Sequence, residues 1–113
     1  MENDSLEMQL SFQIISVAGD AHSNAVLAME SARNGKIDEA KKLMETADAS
    51  LNEAHKYQTQ LLVREAQGTK SELSVILIHA QDHLSMATVS YENAKEVIYL
   101  YETLYKLKEE KEK

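Results

Sequence analysis

Proline is absent from all 113 residues, and glycine occurs only at Gly19, Gly35 and Gly68. A chain that lacks the strongest breakers of regular structure and is rich in Ala, Leu, Glu, Lys and Met forms long helices. A β-sandwich or barrel would need turn residues roughly every 8 to 12 positions, and a doubly wound sheet would need Val- and Ile-rich runs bounded by Gly. Neither pattern is present, so the fold class is all-α. The length suits one domain, residues 1–113, with no room for a second core.

Asn34-Gly35 and Gln67-Gly68 divide the chain into three helices, because Gly adopts the left-handed conformation favoured just past a helix end. The first helix is predicted to start after Asp4 or Ser5, with Asp4 and Glu7 at capping-box spacing, and to end near Asn34. The second spans about Ile37 to Gln67. The third opens at Thr69, which has capping-box spacing to Glu72, and runs past Tyr105 into the charged tail 106–113, where fraying is expected. Such short connections imply an antiparallel up-down-up three-helix bundle.

Apolar spacing gives each helix a core seam. Leu10, Ile14, Val17, Ala21, Ala25 and Ala28 form the first, and the Ala-rich half implies close helix approach. Ile37, Ala40, Met44, Ala47, Leu51, Ala54, Gln58 and Leu61 form the second, and Leu77, Ala80, Leu84, Ala87, Tyr91, Ala94, Ile98, Tyr101 and Tyr105 the third. The third helix has more apolar surface than one seam uses. Val75, Ile78 and Val89 lie on one further track, and Ile76, Met86, Val97, Leu100 and Leu104 on another. A helix apolar all round needs another partner, so a homotrimer with helix three at its axis is expected. Insertion into a membrane is not: His79, Gln81, Asp82 and His83 sit mid-span, and one central Asp alone costs about 2.5 to 3.5 kcal/mol.

Charge and composition exclude several function classes. Twelve Lys and Arg against 19 Asp and Glu leave a formal charge of −7, which disfavours nucleic acid as a partner. The absence of Cys removes disulfides, thiolate metal sites and cysteine nucleophiles. With the acidic, polar opening Met1 to Ser5 in place of an export signal, a cytoplasmic location is expected. No glycine loop is available to cradle a nucleotide's phosphates, so direct use of ATP is not expected.

The segment Ile78-His79-Ala80-Gln81-Asp82-His83-Leu84 holds the chemistry. At 100° per residue, His83 lies about 40° from His79 and Asp82 about 60° to the other side, so the three share an otherwise apolar face. A lone buried His is more often a hydrogen-bonded core residue. Two His and an Asp on the most apolar helix reverse that expectation, since burying them is costly unless they serve a function. His79 and His83, four apart, could ligate zinc, or one could act as a nucleophile beside the other. Gln81 points about 160° away from His79. Only the Gln81 of a neighbouring subunit could approach it; otherwise Gln81 is a buried amide bonded to a backbone carbonyl. His55 and His22 read as partly exposed surface residues, and Tyr91, Tyr101 and Tyr105 as seam residues with hydroxyls reaching solvent. In a trimer the Asp82 carboxylates would converge at the axis. Their repulsion calls for protonation or a shared cation, and oxygen ligands without sulfur suit Mg²⁺, one per trimer.

His79-Ala80-Gln81-Asp82-His83-Leu84, preceded by Val75-Ile76-Leu77-Ile78, resembles the phosphorylation-site motif of the lactose/cellobiose-type enzyme IIA of the bacterial sugar phosphotransferase system. Ala18-Gly19-Asp20-Ala21-His22-Ser23, Asn34-Gly35 and Leu51-Asn52-Glu53-Ala54-His55 with Gln58-Thr59 extend the likeness from Phe12 to about Tyr105. The chain departs from the pattern at His22, where Arg is usual, and at Ser85-Met86, where Met-Thr is common. The resemblance implies that His79 accepts a phosphoryl group from the histidine phosphocarrier protein and passes it to a cysteine of enzyme IIB, which phosphorylates an incoming sugar of the lactose/cellobiose class. His83 would orient or hydrogen-bond, a neighbour's Gln81 would donate its amide, and Asp82 would hold the metal. A non-catalytic helical interaction module, with structural or zinc-binding histidines, is the alternative.

Overall fold

The computed structural model describes residues 2–69 and 73–112, with side chains from Leu6 onward. It contains three helices, α1 (Glu2–Arg33), α2 (Ile37–Ala66) and α3 (Val75–Glu112), and no strand among the described residues. The bundle measures 67 × 19 × 18 Å, a narrow rod. Tyr105 near the end of α3 bonds Arg33 at the end of α1, so these two helices run parallel while α2 runs against both.

Both connections close by one device. Gly35 (φ 82°) donates to Ala32 O at 3.0 Å and Lys36 to Ser31 O at 2.8 Å; Gly68 (φ 93°) donates to Glu65 O at 3.0 Å and Thr69 to Arg64 O at 3.1 Å. This pair of bonds, with the residue after the cap in the left-handed region, satisfies carbonyls that a helix end leaves open, and only Gly takes that conformation cheaply.

Two helix starts differ from the sequence expectation. α1 is already helical at Glu2, so Asp4 cannot be its N-cap, a position that needs non-helical backbone. The side chain of Asp4 lies outside the described residues, as does Glu72, so neither capping box has a described counterpart. α3 starts at Val75, not Thr69. The Thr69 N–H is committed to closing α2, and Ser74 is the cap, its Oγ accepting from the Leu77 N–H at 3.1 Å. The charged stretch from Lys106, where fraying was expected, is helical to Glu112, and Lys106 Nζ stands 3.4 Å from Glu102 Oε1.

The core is built largely of alanine. Ala18, Ala25 and Ala32 of α1, Ala40, Ala47 and Ala54 of α2, and Ala80, Ala87 and Ala94 of α3 recur at seven-residue intervals, each with 0% exposure. Small side chains let the helices approach closely, which explains the narrow cross-section. They also bury little apolar area, at about 25 cal/mol per Å². Large apolar residues are correspondingly left outside, and on α3 they are Val75, Ile78, Met86, Val89, Tyr99, Leu100, Leu104 and Leu107.

Candidate functional site

The Ser74 cap fixes where α3 begins, and one turn later the helix presents His79 to solvent with His83 half-buried beside it. His83 Nε2 lies 3.0 Å from His79 Nε2, and the rings meet edge to face with centroids 4.4 Å apart. Two facing ring nitrogens share one proton: one is the N–H donor and the other offers its lone pair. Where His83 donates, His79 Nε2 keeps the lone pair that a nucleophile needs, and the proton sits ready for an incoming anion.

Gln81 faces away from His79, as its position on the helix requires. Its partner within the chain is a side chain, not a backbone carbonyl: Gln58 Nε2 of α2 donates to Gln81 Oε1 at 2.7 Å. Asp82 is exposed among Ile78, Met86 and Val89 and has no ion-pair partner among the described residues. The described residues of one chain hold no cluster of three or more His, Cys, Asp or Glu able to bind a metal, so a zinc site on His79 and His83 lacks a third protein ligand among them.

His55 is exposed, as expected. His22 is half-buried, and its Nδ1 lies 2.6 Å from Ser90 Oγ on α3. Among the tyrosines, Tyr105 does not send its hydroxyl to solvent but to Arg33 O at 2.6 Å, with Tyr101 stacked on its ring. Tyr91 stands beside Asp48 with Lys95 Nζ 5.5 Å from its ring centre; burial, then the nearby Asp48 carboxylate, push its hydroxyl above the usual tyrosine range.

The partners Gln58 and Ser90 were not legible as site residues. Gln58 fitted a core seam, and nothing in the local pattern of Ser90 marks a long-range contact.

The described residues form a three-helix bundle that displays an exposed histidine with a second imidazole at hydrogen-bond distance. The family described as the lactose/cellobiose-specific IIA subunit of the sugar phosphotransferase system matches residues 9–102. The chain is 41% identical over 102 residues to the lichenan-specific phosphotransferase enzyme IIA component of Bacillus subtilis, covering 90% of this chain and 92% of that one. The crystal structure of the cellobiose-specific enzyme IIA from Bacillus anthracis superposes with a TM-score of 0.84 at 47% identity, covering 86% of this chain and 89% of that one. The IIA of the N,N'-diacetylchitobiose branch of the Escherichia coli system, solved in solution as a complex with HPr, gives a TM-score of 0.76 at 34% identity, covering 88% and 96%. The chain belongs to the lactose/cellobiose-specific IIA family of the phosphotransferase system. No helix among the described residues is long and apolar enough to cross a membrane.

Proposed function

We propose that His79 is the phosphoryl acceptor of this IIA subunit, charged by HPr, the histidine phosphocarrier protein, and discharged to a cysteine of enzyme IIB for uptake of a sugar of the lactose/cellobiose class. The observation that carries the reading is the exposed His79 with His83 Nε2 at 3.0 Å, on the family's motif. In the first transfer the lone pair of His79 Nε2 forms a bond to phosphorus while the N–P bond of the donor's phosphohistidine breaks, its electron pair returning to the donor imidazole. In the second, the IIB thiolate forms the P–S bond and the His79 N–P bond breaks. Beyond the nucleophilic nitrogen, each step needs mainly positioning and donors for the phosphoryl oxygens. His83 Nε2–H and the amide of a neighbouring subunit's Gln81 supply donors. All partners are reached from the cytoplasm.

The subunit works as a homotrimer around α3. Val75, Ile78, Asp82, Met86, Val89, Asn93, Val97, Leu100 and Leu104 follow one another at spacings of 3, 4 and 4 residues, an eleven-residue repeat down the outer face of α3. A repeat of about 3.67 residues per turn keeps a helix seam nearly straight against parallel copies. This face is exposed in the single chain, with Val75 at 86% and Leu100 at 64%, which supports a partner there. Around a threefold axis each α3 turns one flank to the next copy's opposite flank, the arrangement that brings Gln81 toward a neighbour's His79.

Asp82 is one of two polar members of that repeat. Its carboxylate is a hard oxygen donor, so the residues fit a divalent cation such as Mg²⁺ held by Asp82 of each subunit and water. The cation would neutralise converging carboxylates at the axis, and it takes no part in phosphoryl transfer.

The test is incubation with phosphoenolpyruvate and the phosphocarrier cascade. The chain should acquire acid-labile, base-stable phosphate that passes to IIB. A protein that takes up no label, or that keeps it in the presence of IIB, contradicts the reading.

A further inference from the structure

Ser11 breaks a pattern. At seven-residue intervals along the face of α1 that packs in the bundle stand Ser11, Ala18, Ala25 and Ala32, and all are buried, Ser11 to 1% exposure. Alanine fills this row everywhere else, so packing alone does not call for the hydroxyl. Ser11 is also the one buried polar residue of the described chain, and its Oγ has no hydrogen-bond partner among the described residues. A buried hydroxyl without a partner is costly, and it marks a place where a partner arrives in another state.

Its position identifies the partner. α1 and α3 run parallel, joined at His22–Ser90 and Arg33–Tyr105. Eleven residues back from His22 is Ser11, and eleven back from Ser90 is His79, with His83 one turn on. Eleven residues are about 16 Å of rise and return to within about 20° of the starting azimuth, so Ser11 lies level with the histidine pair on the side of α1 that faces α3. His83 also lies between Ser90 and Tyr105 in azimuth, the two α3 residues that bond α1. It is the more buried of the two histidines.

We propose that Ser11 is a positioning residue for phosphoryl transfer: its hydroxyl donates to Nδ1 of His83 once His79 Nε2 carries the phosphoryl group. The inference rests on the role of His79 proposed above. In the free chain His83 Nε2 is engaged with His79 Nε2. When that nitrogen bonds phosphorus it has no lone pair left for His83, and the His83 ring is released. A hydroxyl donating to Nδ1 fixes the tautomer with the proton on Nε2. That proton then points to the phosphoryl oxygens and not to bulk water. No proton is gained or lost; the hydroxyl selects between two forms of a neutral ring.

The experiment compares wild type, Ser11→Ala and Ser11→Thr, each alone and combined with His83→Ala, after labelling by the cascade. It follows the rate of transfer to IIB and the ¹⁵N signals of the His83 ring. Ser11→Ala should fold with an unchanged or higher melting temperature and accept label. In its phosphorylated form His83 should show both tautomers, and transfer should slow about three- to tenfold, the range of one lost hydrogen bond. Ser11→Thr, which keeps the hydroxyl, should restore both. In the His83→Ala background Ser11→Ala should have no further effect. A single unchanged His83 tautomer with an unchanged rate in Ser11→Ala overturns the inference, as does a loss of equal size in the His83→Ala background. Wild type that takes no label overturns the function reading, and this inference with it; wild type that labels while Ser11→Ala matches it overturns this inference alone.

Discussion

Gln58 Nε2 donates to Gln81 Oε1 at 2.7 Å, tying α2 to the motif helix three residues past the start of its heptapeptide. With its oxygen turned to Gln58, Gln81 leaves its N–H groups to donate to a group that approaches from outside its own chain.

That relationship predicts complementation between subunits. Gln81→Leu should slow phosphoryl uptake by at least about tenfold, since hydrogen bonds to charged groups are worth about 1.5–3 kcal/mol. Mixed trimers of Gln81→Leu with His79→Gln should regain activity, because an intact His79 then meets an intact Gln81 from its neighbour. A mixture refolded together that labels no faster than the two variants kept apart would place Gln81 outside the neighbour's site.

The roles of the two histidines separate in the same assay. His79→Gln should abolish labelling while circular dichroism reports the same helix content, as an exposed residue permits. His83→Ala should slow the onward transfer to IIB more than the labelling itself, as the proposed role of His83, to orient the group and not to carry it, requires. Normal labelling of His79→Gln would move the acceptor elsewhere.

What the sequence exposed was set by residues near one another in the chain. The seams followed from three- and four-residue spacing, and Ala21, Ala28, Ala40, Leu51, Ala80 and Leu84 are buried where that spacing placed them. Both loops followed from Gly35 and Gly68. The start of α3 did not, because Ser74 and not Thr69 supplies the cap, while the Thr69 N–H is committed to the Arg64 carbonyl that closes α2. The pairings His22–Ser90 and Gln58–Gln81 depend on how far one helix slides past another, which small alanine contacts set and no local pattern encodes. The histidine pair was legible because its spacing of four lies within one helix.

Tyr91 gives a pH-dependent check of the α2–α3 contact. Burial first, and Asp48 next, favour its neutral phenol in the folded chain. Stability from this source is therefore complete below the ordinary tyrosine value of about 10 and is lost as pH rises through the higher folded value. Between pH 9 and 11 the melting temperature of wild type should fall further than that of Tyr91→Phe. Parallel curves for the two proteins would show that Tyr91 ionises as readily in the folded chain as in the unfolded one.

Asp82 and Asn93 are eleven residues apart on the outer face of α3, the two polar positions in a row of Val, Ile, Met and Leu. In a trimer each makes a layer of three. Like charges in an apolar core repel strongly unless neutralised, whereas amides can hydrogen-bond around the ring. Chelation should therefore lower the melting temperature of wild type. Asp82→Leu should abolish that response and raise the melting temperature in chelator by about 4 °C or more, the shift that 1 kcal/mol brings in a domain of this size. Asn93→Leu should also raise it while leaving the response to chelation intact, since an amide layer carries no charge to offset. Sedimentation equilibrium should find trimers for all three proteins. Dissociation of Asp82→Leu into monomers, or a chelator effect that persists in it, would remove Asp82 from the axis and the cation with it.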